Sequence, residues 1–332
     1  MRASVIIPTR DRADVLAGCL ESLTRQTLDP TLFEVLVVDN GSSDHTRQVA
    51  QRFESRLRLQ CLHAPEPGLH VGRHAGWLAA RSDILVFCDD DIEAESSWVS
   101  AIVDAFADPK VGLVGGNCYP KFEAKPPPWL ARWWAEPIAH GRALGYLSVL
   151  DFGQGNFDID PAFVWGCNFS TRRTVLEAVG GFHPDGMPKE RMRFRGDGES
   201  HVARAVREQG WRTRFDSAAS VHHQVSASRM TCAYFEQRAF AQGVSDSYSA
   251  VRRSGGARPV WFERTRQGLQ LTLRSLRARW RARDAGSDEV AATLLEVRLR
   301  TLRAYREGFT FHQSQVRADR QLLDWVLQES YL

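Results

Sequence analysis

The 332-residue sequence has no long apolar run and no close pair of cysteines. A membrane-spanning helix needs about 20 consecutive apolar residues, and no stretch of the sequence approaches that length. The six cysteines are widely scattered, which excludes a zinc knuckle or a dithiol redox site and predicts reduced, mostly buried thiols. The N-terminal apolar run is too short for a signal peptide. We therefore expect a cytoplasmic protein.

The sequence also lacks internal repeats, low-complexity tracts and a strong excess of charge of one sign. Its hydrophobic fraction of 43% and charged fraction of 25% are those of ordinary folded proteins. Its length allows one large α/β domain with an appendage, or two unequal domains. The net charge of +3 is unevenly spread, because residues 252–283 contain ten arginines and one acidic residue, Glu263.

The first third of the sequence alternates short apolar runs with segments of helical period. This pattern is typical of βαβ units around a mostly parallel sheet. In such sheets ligands bind at the carboxyl ends of the strands, and we expect Thr9, Asp39 and the run 89–91 to meet there. The predicted strands are 3–8, 33–38, 57–62 and 84–88. The predicted helices begin near Asp11, at Ser42 or Ser43, and near His70.

The periodic pattern breaks down between residues 119 and 165, which are rich in proline, glycine and aromatic residues. We expect an irregular insertion there. Helical periodicity returns at 171–179 and 200–209, with a strand over 212–215, and nearly all of the sequence beyond 228 predicts helix. A boundary near residue 228 is therefore expected.

Three consecutive aspartates follow the apolar strand that ends at Cys88. If the extended backbone continues, Asp89 and Asp91 point to one side and Asp90 to the other. Two carboxylates facing one site can hold Mg²⁺ or Mn²⁺, which prefer oxygen ligands. The alternative is an acidic turn that caps a helix beginning near Ser96.

Three motifs in order resemble those of the family 2 glycosyltransferases, which have the GT-A fold. They are VIIPTRD at 5–11, VLVVDNGSSDHT at 35–46 and LVFCDDD at 85–91. The resemblance covers about residues 3–116 and continues more weakly to about His223. It implies an α/β GT-A (Rossmann-like) fold with a mostly parallel sheet flanked by helices and a helical C-terminal region. The expected divisions are a donor-binding half (1–118), an acceptor-side half (119–228) and a C-terminal helical region (229–332).

The same resemblance implies a metal-dependent, inverting glycosyltransferase of the hexosyl-transferring class. Its donor would be a nucleotide diphosphate sugar of the UDP or dTDP type. Its acceptor would be a hydroxyl of a glycan, a lipid-linked precursor or a small natural product.

Donor-side roles follow from the matching positions in the family. Pro8, Thr9 and Asp39 would contact the nucleoside, Asp89 the ribose and Asp91 the metal. Arg10 and Asp90, which flank these positions, belong to the same expected donor site. Arg73 matches a basic position near the diphosphate, although it also fits a solvated helix face.

The general base of this family is a carboxylate at the start of a helix, usually within a Glu-Asp pair. Here the sequence is Gly-Asp-Gly-Glu over residues 196–199. Counting back from Gly210, which matches the glycine that commonly ends this helix, favours Glu199. Asp197 remains the alternative, and both residues also suit a helix N-terminus for structural reasons alone.

Further candidates lie on the acceptor side and near the metal. His223 matches the histidine that many GT-A enzymes supply to the metal or diphosphate, with His222 beside it on the acceptor side. Trp165 and Asn168 lie in a segment that resembles the family's acceptor-side lining, where Asn168 can hydrogen-bond a sugar hydroxyl. Aromatic residues of the insertion can stack on an acceptor ring or pack in the core.

The arginine-rich C-terminal segment predicts a basic helix with an apolar stripe. Such a helix can bind peripherally to the inner face of an anionic membrane, or its stripe can pack on the catalytic domain or on a second subunit of a homo-oligomer. No nucleic-acid-binding motif accompanies the arginines, so we expect no nucleic-acid partner.

Two other functions are compatible with parts of the sequence. A sugar-1-phosphate nucleotidyltransferase also uses a metal and a Rossmann-like nucleotide site, but residues 9–13 lack the glycines of its loop. A catalytically inactive, transferase-like partner or adaptor protein fits the altered sequence at 196–199.

Overall fold

The computed structural model describes residues 1–256 and 288–332. Its strands are β1 (Ala3–Thr9), β2 (Phe33–Asp39), β3 (Leu59–His63), β4 (Ile84–Phe87), β5 (Ile92–Ala94), β6 (Val111–Gly115), β7 (Cys118–Phe122), β8 (Arg142–Leu144), β9 (Val149–Asp151), β10 (Asn156–Asp158), β11 (Phe169–Arg172), β12 (Arg212–Asp216) and β13 (Val221–Val225). The described α-helices are α1 (Ala13–Leu23), α2 (Thr46–Gln51), α3 (Leu69–Ala79), α4 (Trp98–Ala105), α5 (Pro128–Trp134), α6 (Arg173–Ala178), α7 (Glu199–Glu208), α8 (Cys232–Ser254), α9 (Glu289–Ala318) and α10 (Arg320–Val326).

An eight-stranded sheet forms the centre of the fold, in the order β10-β12-β6-β11-β4-β1-β2-β3. Strands β1 to β4 pair in parallel, and β12 pairs in parallel with β6. Only β10 and β11 run against their neighbours in this sheet. The mostly parallel α/β sheet expected from the sequence is therefore confirmed.

The first two strands are apolar runs because helices cover both faces of the sheet. Every residue of β1 and β2 is buried. Side chains on one face, such as Val5 and Val37, pack in a core with α1 and α4, and those on the other, such as Ile6 and Val38, pack with α3 and α6. Burial on both faces removes the alternation of apolar and polar residues that marks a half-exposed strand.

A second, five-stranded sheet has the order β5-β13-β7-β9-β8. Strand β13 pairs in parallel with β7 and antiparallel with β5. Helix α5 and strands β8, β9 and β10 lie within the segment that was expected to be irregular. Each of these strands has three residues, which is too short for a period of two to stand out in the sequence.

The C-terminal helices pack on the rest of the protein. Helices α8 and α9 have 23 and 30 residues and cross closely at two glycines, Gly243 and Gly308. A Cβ atom at Gly243 would lie 2.0 Å from the Tyr305 carbonyl oxygen, and one at Gly308 would lie 2.0 Å from that of Phe240. The helices were expected, and the part of the arginine-rich segment over 257–283 lies outside the described residues. No described helix is long and apolar enough to cross a bilayer.

A buried carboxylate joins α7 to α8. Asp197, 8% exposed, accepts hydrogen bonds from His183 Nδ1 (2.6 Å), Arg204 Nη2 (2.5 Å) and Ser249 Oγ (2.5 Å). Burial raises the pKa of Asp197, but the hydrogen bond from His183 and the positive charge of Arg204 outweigh it, so the pKa lies below its ordinary value. Asp197 is thus ionised inside a hydrogen-bond network whose other members, His183, Arg204 and Ser249, come from three separate parts of the chain.

The close crossing of α8 and α9 predicts that Gly243→Ala is destabilising. The added methyl group would overlap the Tyr305 carbonyl, and the helices must separate to accept it, at a cost of about 1–3 kcal/mol. Urea unfolding measures the change. Gly18→Ala is the matched control, because the nearest atom to its Cβ is Gln224 Nε2 at 3.8 Å, and alanine in a helix is neutral or favourable. Equal stabilities of the two variants would contradict the close crossing.

The Asp197 network predicts that Asp197→Asn lowers the free energy of unfolding at pH 7 by about 3 kcal/mol, because one partner of a buried charge network is removed. Since the folded pKa of Asp197 is lowered, its stabilisation is present above about pH 4 and is lost as the pH falls through the folded pKa. Asp160→Asn, which breaks an exposed pair with Arg207, is the control and costs about 0–1 kcal/mol. A smaller loss for Asp197→Asn than for the control would refute the role of the network.

Candidate functional site

The carboxyl ends of β1, β2 and β3 lie side by side. Thr9 pairs in register with Asp39, which pairs in turn with His63. Asp39 Oδ1 accepts a hydrogen bond from the Ser42 amide at 2.8 Å, and its Oδ2 lies 3.7 Å from His63 Nδ1 and 3.8 Å from Arg47 Nη2. The strand ends thus meet as the sequence predicts, with Asp39 at the centre of the group.

The middle aspartate of the triplet anchors β4 to β1. Asp90 Oδ2 accepts a hydrogen bond from Thr9 Oγ1 at 2.6 Å, and Asp90 Oδ1 lies 3.2 Å from Arg12 Nη1. Burial raises the pKa of Asp90 to about 7, against the opposing effects of Arg12 and Thr9. Asp90 therefore faces the β1 turn, whereas Asp89 and Asp91 line the adjacent cavity.

Asp89, Asp91 and His223 converge at one point. Each offers one ligand atom, and these atoms lie within 4.8 Å of one another. His223 Nε2 lies 3.2 Å from Asp91 Oδ1, and among the described residues no group donates a well-aligned hydrogen bond to that oxygen. Burial raises the pKa of Asp91, but the neighbouring His223 and the charge of Arg12 hold it below its ordinary value. The two carboxylates supply the oxygen ligands that Mg²⁺ and Mn²⁺ prefer, and the imidazole adds a nitrogen donor.

A buried arginine connects this cluster to the start of α7. Arg73 is 3% exposed, and its Nη1 lies 3.2 Å from Glu199 Oε2 while its Nη2 lies 3.9 Å from Asp89 Oδ1. Burial lowers the pKa of Arg73, but Glu199 and Asp89 raise it more. The Arg73 guanidinium also lies over the Phe182 ring, 5.2 Å from the ring centroid. Arg73 is thus placed inside the site and not on a solvated helix face.

Glu199 is the first residue of α7, and the glycine before it explains the unusual sequence there. Gly198 has φ +50°, a conformation that favours glycine, and a Cβ on it would lie 2.8 Å from Asp185 Oδ2. Glu199 Oε1 accepts a hydrogen bond from the Gly166 amide at 3.3 Å. The turn therefore directs Glu199 towards Arg73, while Asp197 points into its own buried network.

A cavity of about 890 Å³ contains the convergent groups. Its lining includes Arg73, Asp89, Asp91, Glu199 and His223. Five expected donor-side residues are not part of that lining: Pro8, Thr9, Arg10, Asp39 and Asp90. Pro8 is buried against Gly72, and Arg10 is exposed beside Asp11.

The remaining predicted residues lie in different places. Trp165 lines a second cavity of about 960 Å³, which shares Ser148, Glu199 and Arg238 with the first. Asn168 is buried and bonded to Trp98 Nε1 (2.9 Å) and to the Ala219 carbonyl (2.9 Å). His222 faces away from His223 because successive side chains of a strand alternate, and its Nε2 lies 2.7 Å from Glu95 Oε1.

Sequence reasoning missed several charged residues of the donor-side cavity. Arg12 Nη2 and Arg229 Nη1 lie 2.8 Å and 3.3 Å from Asp91 Oδ2. Asp185 is paired with Arg195 at 2.6 Å in the same cavity. The signal available for Arg12 was its position just after the β1 turn; the other three follow only from the folding of distant segments.

Comparisons with known proteins agree with this architecture. The family model described as glycosyl transferase family 2 matches residues 4–180. A validoxylamine A glucosyltransferase of Streptomyces hygroscopicus subsp. limoneus is 31% identical over 198 residues, or 55% of this chain and 44% of that protein. The chain thus spans less than half the length of that relative. A glucosyl-dolichyl phosphate glucuronosyltransferase of Haloferax volcanii is 25% identical over 74% of this chain and 76% of its own length.

The fold is shared with a mannosyltransferase of Pyrobaculum calidifontis, solved with GDP-Man and Mn²⁺. The TM-score is 0.56 at 23% sequence identity, covering 96% of this chain and 85% of that one. This likeness confirms the expected GT-A architecture, and the family model matches more than half of the 332 residues. The chain therefore belongs to glycosyl transferase family 2, a family of glycosyltransferase enzymes.

Proposed function

We propose that this glycosyltransferase moves a sugar from a nucleotide diphosphate donor to an acceptor hydroxyl, with inversion at the anomeric carbon. The observation that carries the proposal is the position of Glu199. It lines both cavities, so it lies between the Asp89–Asp91–His223 cluster and a second space large enough for an acceptor. We propose UDP or dTDP sugars as the donors to test first, alongside the GDP-Man with which the mannosyltransferase was solved.

On the donor side, we assign the nucleoside to the strand ends around Asp39 and Thr9, with Pro8, Arg10 and Asp90 shaping that turn. Asp89 and Asp91 lead from there to the diphosphate. Arg12 and Arg229 lie at Asp91 and can offset phosphate charge, and Arg73 lies within reach of Asp89. These groups place positive charge beside the anionic leaving group.

We assign the metal to Asp89, Asp91 and His223, whose donor atoms fit Mg²⁺ or Mn²⁺. A bound metal neutralises charge that develops on the leaving nucleoside diphosphate. The mannosyltransferase of similar fold was solved with Mn²⁺, which supports this assignment.

We assign the general base to Glu199. Its carboxylate takes the proton of the acceptor hydroxyl as the hydroxyl oxygen bonds to the anomeric carbon and the bond to the leaving diphosphate breaks. A single displacement of this kind inverts the anomeric centre. Asp197 is the weaker candidate, because three hydrogen bonds already occupy its carboxylate.

The division into a donor half (1–118), an acceptor half (119–228) and a C-terminal region (229–332) is part of this proposal. Helices α8 and α9 supply lining of the second cavity, so the described C-terminal helices contribute to the acceptor side. We keep a glycan, a lipid-linked precursor or a small molecule as acceptor classes. The comparisons favour neither an inactive adaptor nor a nucleotidyltransferase.

The metal assignment predicts that Asp91→Asn abolishes Mn²⁺-dependent donor binding. For the wild-type chain, a donor at 100 times its Kd stabilises the fold by about 2.7 kcal/mol, which raises the melting temperature. A thermal-shift screen of UDP, dTDP and GDP sugars with and without Mn²⁺ measures this. Asp83→Asn, at a fully accessible aspartate, is the control and keeps the wild-type shift. An unchanged shift in Asp91→Asn would overturn the assignment.

The base assignment predicts that Glu199→Gln keeps donor binding but slows transfer by about 10²- to 10⁴-fold, because proton abstraction is lost. Release of nucleoside diphosphate in the presence of an acceptor panel measures the rate. Glu208→Gln, at the exposed end of the same helix, is the matched control and transfers at the wild-type rate. Near-wild-type transfer by folded Glu199→Gln would remove Glu199 from the mechanism.

A further inference from the structure

The C-terminal helices supply one part of the lining of the second cavity, and residues 133–207 supply the rest. Along α8, the polar residues that line it recur at intervals of three or four: Arg238, Gln242, Asp246, Ser249 and Arg253. This spacing places them on one helix face. The 15 residue-to-residue steps from Arg238 to Arg253 span about 22 Å at 1.5 Å per step, so the cavity is long and has an arginine at each end.

Most charged groups of the cavity are already paired. Arg204 bonds to Asp197, Arg207 bonds to Asp160, and Asp246 accepts hydrogen bonds from Gln242 (2.8 Å) and Tyr305 (2.7 Å). Glu199 faces the buried Arg73. The carboxylates that line the cavity are therefore engaged by groups of the protein itself.

Arg238 differs from these residues. Its side chain is half-buried, and within residues 1–256 and 288–332 no carboxylate lies within ion-pair distance of its guanidinium. Arg253 contacts a backbone carbonyl, that of Ser249, at 3.4 Å. A partly desolvated guanidinium without a carboxylate partner offers an oxyanion its full set of donors, and arginine matches phosphate and carboxylate groups with paired hydrogen bonds.

Arg238 also has a particular place. Together with Glu199 and Ser148 it lines both cavities, so it lies where the acceptor hydroxyl must meet the donor sugar. The negative charge of Asp185 acts on Arg238 across the donor-side cavity, but Asp185 is itself paired with Arg195 at 2.6 Å. A neutral acceptor would therefore leave Arg238 without an ion-pair partner among the described residues. An acceptor with an anionic group near the reacting hydroxyl would supply one.

We propose that the acceptor is anionic and that Arg238 binds its phosphate or carboxylate group beside the hydroxyl held at Glu199. This deepens the proposed function and rests on it, because it assigns the second cavity to the acceptor. The positive charge of Arg253 favours anionic groups of the acceptor at the far end of the cavity as well. Arg238 is a specificity-determining residue in this scheme.

The test is a binding comparison on the full chain with Mn²⁺ and a saturating nucleoside diphosphate, which fills the donor-side cavity. The probes are methyl glucoside, methyl glucuronide and methyl glucoside 6-phosphate, titrated by calorimetry. We expect each anionic probe to bind about tenfold more tightly than the neutral one, as a charge-assisted hydrogen-bond pair provides. The tighter of the two anionic probes identifies carboxylate or phosphate as the recognised group.

The variant Arg238→Gln keeps the length and hydrogen-bonding capacity of the side chain but removes its charge. We expect it to bring the affinities of the anionic and neutral probes within about twofold of each other, on the same charge-pair argument. Arg320→Gln, on an exposed arginine of α10, is the control and keeps the wild-type preference. Circular dichroism confirms that both variants are folded.

The outcomes separate the two proposals. Failure of the nucleoside diphosphate to bind contradicts the proposed function itself. Normal nucleoside diphosphate binding with equal affinities for all three probes contradicts the anionic acceptor alone. If Arg238→Gln weakens nucleoside diphosphate binding and leaves the probe preference intact, Arg238 serves the donor diphosphate, and the inference is overturned.

Discussion

Arg73 is buried between Glu199 and Asp89, and the geometry of the site depends on this one cation. A guanidinium removed from water is costly unless carboxylates surround it, and here one comes from the strand-end triplet and the other from the start of α7. The Arg73 side chain thereby fixes the distance between the donor-side cluster and Glu199. Gly166 is part of the same constraint, because a Cβ there would lie 2.1 Å from Arg73 Nη2.

The turn at Gly198 accounts for the different environments of two nearby carboxylates, Asp197 and Glu199. Gly198 has φ +50° between Asp197 and Glu199, and this turn points the two side chains into different environments. Asp197 joins His183, Arg204 and Ser249 in a buried network that binds α7 to α8. Glu199 faces the two cavities. A sequence with two acids in one turn thus gives one carboxylate held in a structural network and one that lines both cavities.

The C-terminal helices belong to the architecture of the site. Their glycine crossing brings α9 close to α8, and residues from both helices line the second cavity. The amphipathic pattern of the sequence indicated helices there but not the surface they cover, since a helix face is equally suited to a domain, a subunit or a membrane. Contacts between distant segments of the chain determine which surface the described helices cover.

The sequence by itself determined the parallel strands of the first third and the meeting of Thr9, Asp39 and the aspartate triplet, because these follow from local periodicity and from the geometry of parallel sheets. It also singled out Glu199 and His223 as candidates. Only the tertiary structure decided which side chains face one another. Arg73 was ambiguous, Arg12, Arg229 and Arg238 were missed, and Asn168 and His222 are engaged elsewhere. These are contacts between segments far apart in the chain, and no local pattern encodes them.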